Sequence, residues 1–213
     1  MPFSIEDFVK LRPYLYHLTS EVNLGLIGRT SCLFSASYWM QRGDCEHLCR
    51  QKRLQHASLV IEGEEIVIRD QSPLYEGKMK LEGGFIFADF IESLNARVFF
   101  WPGDETGPNG YGLRHFERYR TENPSILRIP TRDIINCNIE REPLFCRYNS
   151  GSPRPSNGMH PPRGPKTFVA ATEATFRASN VVEVTFEDSA ILPTTAVASS
   201  LDEWSWQEFL VSR

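Results

Sequence analysis

Glutamate is disfavoured inside a β-strand, yet Glu183 stands in the middle of Val181-Val182-Glu183-Val184-Thr185-Phe186. Strand alternation predicts that it shares a face with Val181 and Thr185, with Val182, Val184 and Phe186 opposite. A carboxylate held there can orient a ribose hydroxyl or accept a proton, or be a plain surface acid on a half-exposed strand. His17, in Tyr16-His17-Leu18-Thr19, offers an imidazole nitrogen that can hold a ribose or amide group in a cleft, or satisfy a backbone group. Arg69-Asp70-Gln71 brings a guanidinium, a carboxylate and an amide to one strand end, where a simple Arg–Asp bridge would contribute little. Arg97 opens an apolar strand, as an ion-pair partner or as a group reaching a pyrophosphate. Asn149-Ser150-Gly151 reads as a strand exit or as an anion nest.

Charge is unevenly spread. Residues 143–180 hold Arg147, Arg154, Arg163, Lys166 and Arg177 against Glu173 alone. Residues 181–213 hold Glu183, Glu187, Asp188, Asp202, Glu203 and Glu208 against Arg213 alone. Within the basic stretch, eight of the 15 residues at 151–165 are Gly or Pro, which excludes helix and central strand. Arginines and free backbone N–H groups in such a loop suit phosphate, and a solvated loop paired with the acidic tail is the competing reading. The net charge of −4 excludes a protein that coats nucleic acid by bulk charge.

Other chemistries lack their residues. There is no Gly-x-Gly-x-x-Gly, Walker loop, Gly-x-Ser-x-Gly elbow or His-Glu-x-x-His helix. Cys45-Glu46-His47-Leu48-Cys49 lacks a second ligand pair for structural zinc, so no metal is expected. Five cysteines without framework spacing, and no signal peptide, predict reduced thiols and a cytoplasmic protein. No apolar run approaches the ~18 residues of a membrane span.

The elements that must position these groups alternate in type. Ser4 with Asp7 starts a helix that Pro13 ends, and residues 14–18 form a strand. Ser20 is read as the cap of a helix over 21–27 stopped by Gly28, and Ser35 and Asp44 as caps of two more. Residues 57–61 and 65–69 make a hairpin; helices follow over 85–94 and 113–120. Strands are expected at 96–101, 125–129, 143–148, 167–170 and 181–186, a helical turn capped by Thr131, and a last helix from Ser200 carrying Trp204, Trp206 and Phe209. The length of 213 residues and 41% hydrophobic content fit one α+β domain over 1–213 with mostly antiparallel sheet.

As a set, these segments resemble DarT-like ADP-ribosyltransferase domains. Tyr14-Leu15-Tyr16-His17-Leu18-Thr19, then Asn23-Leu24, a helix and Leu33-Phe34-Ser35-Ala36, is similar to the family's opening. Val67-Ile68-Arg69-Asp70-Gln71-Ser72-Pro73 and Leu94-Asn95-Ala96-Arg97-Val98-Phe99-Phe100-Trp101 look like an uncharacterised bacterial branch of it. Tyr148-Asn149-Ser150-Gly151, Arg163-Gly164 and Thr167-Phe168 continue the likeness. The resemblance implies an ADP-ribosyltransferase-like fold, two mostly antiparallel sheets forming an NAD cleft with helices and long loops around them. It implies NAD as substrate, Glu183 as catalytic carboxylate and His17 at the nicotinamide-side ribose. An assisting catalytic arginine falls to Arg53 or Arg50, and Thr19, Arg69 and Arg97 become cofactor contacts. Arg147, Asn149, Arg154 and Arg163 become acceptor contacts.

Three functions are therefore weighed. The first is NAD-dependent transfer of ADP-ribose to a nucleic-acid or protein acceptor, in a toxin or phage-defence role with a possible antitoxin partner and no membrane. The second is a non-catalytic nucleotide or nucleic-acid binding module of the same fold. The third is a metal-dependent nuclease using Asp70, Glu183 and His17. All three depend on whether His17, Arg69, Arg97 and Glu183 line one cleft.

Overall fold

The computed structural model describes residues 3–152, 155 and 160–210; Arg154 lies outside the described residues. The Ser4 hydroxyl accepts the Asp7 N–H at 3.3 Å and opens α1 (Ile5–Leu11), which ends before Pro13. The strand β1 (Tyr14–Thr19) leads into α2 (Glu21–Thr30). Gly28 does not stop α2: the helix runs on to Ser31, which takes the left-handed conformation at φ 50. Gly28 instead admits the C-terminal segment, since a Cβ there would lie 2.7 Å from the Phe209 carbonyl oxygen. Ser20 makes no side-chain cap. After β2 (Cys32–Phe34), Ser35 caps α3 (Ala36–Arg42) by accepting the Tyr38 N–H at 3.1 Å. The helix expected after Asp44 is only a 3-10 turn, Glu46–Arg50.

The hairpin β3 (Ala57–Ile61) and β4 (Glu64–Ile68) turns on Glu62 and Gly63 at φ 54 and 84, the left-handed pair that tight hairpins require. Then come β5 (Lys80–Leu81), α4 (Phe87–Asn95), β6 (Arg97–Asp104) and β7 (Gly107–Pro108). Asn109 caps α5 (Gly110–Arg118), accepting the Tyr111 and Gly112 N–H groups at 3.0 Å. β8 (Ser125–Pro130) runs into α6 (Thr131–Cys137), where Thr131 does not cap but donates to the Arg12 carbonyl at 2.6 Å. β9 (Leu144–Cys146), β10 (Pro162–Arg163), β11 (Glu183–Glu187), β12 (Ser189–Ile191), β13 (Val197–Ser200) and β14 (Gln207–Glu208) complete the chain.

Two expected elements are corrected. Residues 167–170 contribute one bridge, Phe145 with Val169, rather than a strand. No helix follows Ser200. The chain turns through Trp204 at φ 49 and returns as β14 against β13, because Trp204 and Trp206 must both reach Tyr16, at ring distances of 6.4 and 6.1 Å. Tryptophans two apart cannot share one helical face.

The architecture is α+β, with a large antiparallel sheet in the order β14-β13-β8-β1-β6-β11-β9 and small two-stranded sheets around it. The register divides the large sheet. β1 pairs with β8 along its full length, from Tyr14↔Pro130 to Thr19↔Ser125. With β6 it pairs only from Tyr14↔Gly103 to Tyr16↔Trp101. The opposite half of β6 belongs to β11, from Arg97↔Glu187 to Phe100↔Val184. Beyond Tyr16 the two halves of the sheet therefore part, and a gap opens between β1 and the start of β6.

Packing holds both sides of that gap. One core joins Leu15, Val98, Phe100, Leu127, Ile129, Val184 and Phe186 to Phe8 of α1 and Ile134 of α6. Under α5 a second joins Tyr16, Trp101, Phe116, Tyr119 and Ile126. A third joins Phe90, Ile91 and Leu94 of α4 to Cys146 and Phe168. Each such side chain contributes roughly 1.5–3 kcal/mol when fully buried.

Candidate functional site

The gap is the mouth of a cleft of about 910 Å³, within the usual range for small-ligand sites. His17, Thr19, Arg53, Arg69, Arg97, Asn149, Arg163 and Glu183 all line it. The structure thus brings together residues separated by up to 166 positions in the chain.

His17 sits where β1 loses β6. Its Nδ1 lies 2.8 Å from the Phe99 carbonyl oxygen, which can only accept, so Nδ1 carries the proton. The neutral ring then has an acceptor at Nε2. Burial, opposed by the Phe99 bond and helped by Arg69, pulls the imidazole down to about 4, so the ring is neutral at pH 7.

Glu183 is only 2% exposed. Both faces of β11 are covered, because Val184 and Phe186 face the main core while Glu183 and Thr185 are also buried. The alternation was legible; the half-exposed surface was not, since the second face is covered by distant segments: Phe99 and Leu144, the strand neighbours of Thr185, pack in the core under α4, and Ser150 meets Glu183. Both carboxylate oxygens accept the Ser150 N–H at 3.2 Å. Burial raises the carboxyl to about 7, against the Ser150 hydrogen bonds and the nearby Arg163 charge. In the Asn149-Ser150-Gly151 turn the Ser150 N–H is given to the protein's own Glu183.

Three arginines frame the cleft. Arg69 donates to Glu122 at 2.8 Å and to the Thr19 carbonyl at 3.1 Å, with its guanidinium carbon 4.7 Å from the Tyr119 ring centroid. Asp70 is not its partner; that carboxylate accepts the Ser72 N–H at 2.7 Å and meets His56 at 3.1 Å. Arg97 bonds Glu187 at 2.6 Å and the Ser93 carbonyl, over the Phe168 ring. The Nε atoms of Arg69 and Arg97 are buried and have no hydrogen-bond partner among the described residues. Arg53 donates to the Arg69 carbonyl at 3.0 Å and to Asn95 Oδ1 at 2.7 Å, and burial lowers it to about 10, still charged at neutral pH. Asn95, 1% exposed, also accepts from Gln71 and donates to the Cys49 carbonyl at 2.8 Å. Thr19 is buried and accepts from Asn23, which also bonds Val67 of β4 through both amide atoms at 2.9 Å.

The acceptor residues fare differently. Arg147 is exposed and stands outside the cleft lining. Arg163 lines the cleft but is 1% exposed, with its donors on backbone carbonyls, so it is not offered to a phosphate. Asn149 is half-buried at the cleft edge. Among the described residues no salt bridge joins the acidic tail to this basic stretch: Glu187 pairs with Arg97 and Asp202 with Arg120.

The sequence reading places a helix at 113–120 but gives it no part in the site; that helix is α5. Tyr111, Arg114, His115, Arg118 and the following Tyr119 recur at helical spacing and line one cleft wall. Burial, with Arg69, Arg118 and His17 nearby, drives His115 down to about 3. That spacing was the available signal. Among the described residues, no group of three His, Cys, Asp or Glu is placed to hold a metal ion, and no helix is long and apolar enough to cross a membrane.

Fold and site together define an α+β domain whose divided antiparallel sheet opens on a cleft lined by His17, Glu183 and several arginines. The chain belongs to the family of unknown function DUF7002, whose model matches residues 13–197, from the turn before β1 to the start of β13. No curated protein and no solved structure matches it.

Proposed function

We propose that the protein is an NAD-dependent ADP-ribosyltransferase that transfers ADP-ribose from NAD to a nucleic-acid or protein acceptor. The observation that carries the reading is the divided sheet. β1 and β6 separate after Tyr16↔Trp101, and His17 and Glu183 flank the opening from the two halves. A cleft between two mostly antiparallel half-sheets is what an ADP-ribosyltransferase-like fold would provide.

The residues fit a dinucleotide. His17 Nε2 is an acceptor for a ribose hydroxyl, fixed in its tautomer by Phe99. Arg69, lining the cleft, stands at the Thr19 end of β1 as a pyrophosphate clamp, and Arg53 beside it adds a second positive charge. Arg97 adds a further positive charge from β6. NAD supplies an electrophilic ribose carbon whose bond to nicotinamide breaks with both electrons leaving on the nicotinamide nitrogen. The ionised Glu183 holds the ribose hydroxyl and stabilises the positive charge that builds there. It then receives the proton lost by the acceptor as the new bond forms. The Ser150 N–H fixes that carboxylate before the reaction.

The test is nicotinamide release from NAD, and labelling of nucleic-acid and protein acceptors, by the wild type and by Glu183→Ala. Release and labelling that vanish in Glu183→Ala support the reading; no NAD binding by the wild type overturns it. The near-complete burial of Glu183 favours one other reading, a binding module of the same fold. It would bind nucleotide or nucleic acid equally well with Glu183→Ala, weakening steeply with salt.

A further inference from the structure

Arg163 is among the largest fully buried side chains, and no carboxylate pairs with it among the described residues. Its guanidinium is instead spent on backbone. Nε donates to the Ser150 carbonyl at 3.1 Å and Nη1 to the Pro161 carbonyl at 2.7 Å. Nη2 donates to the carbonyls of Asn149 at 2.9 Å and Ser152 at 3.0 Å. The guanidinium carbon lies 4.2 Å from the Tyr148 ring centroid.

These contacts close the base of the Gly/Pro-rich loop. Asn149, Ser150 and Ser152 lie on its entry and Pro161 on its exit, and one planar fork ties them together. The fork is itself anchored. Arg163 belongs to β10, which pairs with β5, and its carbonyl accepts the Glu82 N–H at 2.9 Å. Gly164 lets Glu82 come that close, since a Cβ would meet the Glu82 carbonyl oxygen at 2.5 Å. Each peptide has two ends. With the Ser150 and Asn149 carbonyls held by Arg163, the N–H of Ser150 has one direction left, toward Glu183.

We infer that Arg163 is a positioning residue: it sets the 149–152 turn so that the Ser150 N–H fixes the Glu183 carboxylate in the cleft. Its functional consequence rests on the proposed role of Glu183; the geometry does not. Lysine cannot replace it, because an ammonium lacks the planar fork that reaches four carbonyls at once.

The test uses the whole chain, labelled with ¹⁵N and ¹³C. In the wild type the Ser150 amide proton and the Glu183 carboxyl carbon are expected to titrate together, with a midpoint near 7. In Arg163→Lys the Glu183 carboxyl still titrates, but the Ser150 amide no longer follows it. Nicotinamide release falls by about 100-fold in kcat with little change in KM for NAD. A Ser150 amide that follows Glu183 unchanged in Arg163→Lys overturns the inference, whether or not NAD is turned over. If the wild type releases no nicotinamide, the enzymatic reading fails and the amide titration still decides the role of Arg163. If Arg163→Lys does not fold, hydrogen exchange in the wild type decides instead. The Arg163 Nε–H and the Ser150 N–H are expected to exchange through one opening event, and a Ser150 N–H exchanging much faster overturns the inference.

Discussion

Ser150 gives its single N–H to both carboxylate oxygens of Glu183 at 3.2 Å, and that is the direct backbone contact of a carboxylate only 2% exposed. The Ser150 hydrogen bonds, from hydroxyl and N–H, and the nearby Arg163 charge do not offset full burial, so the carboxyl rises to about 7. The group is poised in the range where a general base works.

The first consequence concerns rate. Glu183 acts ionised, so nicotinamide release is expected to rise about tenfold per pH unit below pH 7 and to level off above it. A steady-state pH profile checks this. A midpoint near 4.5, the ordinary glutamate value, would falsify the assignment of Glu183 as the titrating group.

Stability should show the opposite trend. The folded-state value lies above the unfolded one, so the contribution of Glu183 is fully present below about pH 4.5 and is lost as pH rises through about 7. At pH 8 the penalty approaches an upper bound on the order of 3 kcal/mol. Glu183→Gln, which removes the charge and keeps an acceptor, is expected to melt above the wild type at pH 8 and with it at pH 4. Calorimetry at the two pH values measures the difference.

The two cleft histidines act in the reverse sense. His17 and His115 are lowered to about 4 and about 3, so their neutral forms add stability above the ordinary histidine value of 6.5, and that stability is lost as pH falls. His115→Phe suits the neighbouring rings of Trp101 and Tyr119, at 5.4 and 5.2 Å. It is expected to move the acid-unfolding midpoint to lower pH. A midpoint unchanged in circular dichroism titrations would contradict the assignment of His115 as an acid trigger.

His17→Ala removes the acceptor for the ribose and leaves the Phe99 carbonyl without its partner. NAD affinity is expected to drop about tenfold, the value of one hydrogen bond of ~1.4 kcal/mol. Calorimetric titration with NAD reads it directly. Equal affinity would place the ribose elsewhere.

Arg53 ties two backbone and side-chain groups, the Arg69 carbonyl and Asn95 Oδ1. Arg53→Ala is expected to cost about 1.5–3 kcal/mol of stability, as for hydrogen bonds to a charged donor, and to weaken NAD binding. Denaturant unfolding supplies the first figure. A variant of unchanged stability would show that the Asn95 network holds the cleft floor without it.

Much of the fold was legible in local pattern. Ser4 and Ser35 cap the helices they precede, and β1, β6, β8 and the β3–β4 hairpin fall where β-branched and aromatic runs place them. These are short-range effects, decided by capping geometry and side-chain alternation within a few residues. His17, Arg69, Arg97 and Glu183 could be singled out because each is out of character in its segment. The α5 wall was overlooked because a helix face of Tyr111, Arg114, His115 and Arg118 looks like ordinary solvated surface until a sheet is packed beside it.

The tertiary structure decided what those groups do. Nothing local distinguishes Arg147 from Arg163, two arginines of one basic stretch, yet the first is exposed and the second is a buried clasp. The difference arises because β10 pairs with β5, a contact 82 positions distant, which turns Arg163 inward onto four carbonyls. The end of the chain shows the same point. Ser200 reads as the cap of a last helix, but the packing of Trp204 and Trp206 on Tyr16 outweighs local helix preference and draws the segment into a turn and β14. Amino-acid order by itself determined the chemistry available, one strand carboxylate, one strand imidazole and a set of arginines. Long-range strand register determined that they meet: β6 lies between β1 and β11, its pairing with β1 ends at Tyr16↔Trp101 while its pairing with β11 runs on to Arg97, and the cleft opens where the β1 edge is left unpaired.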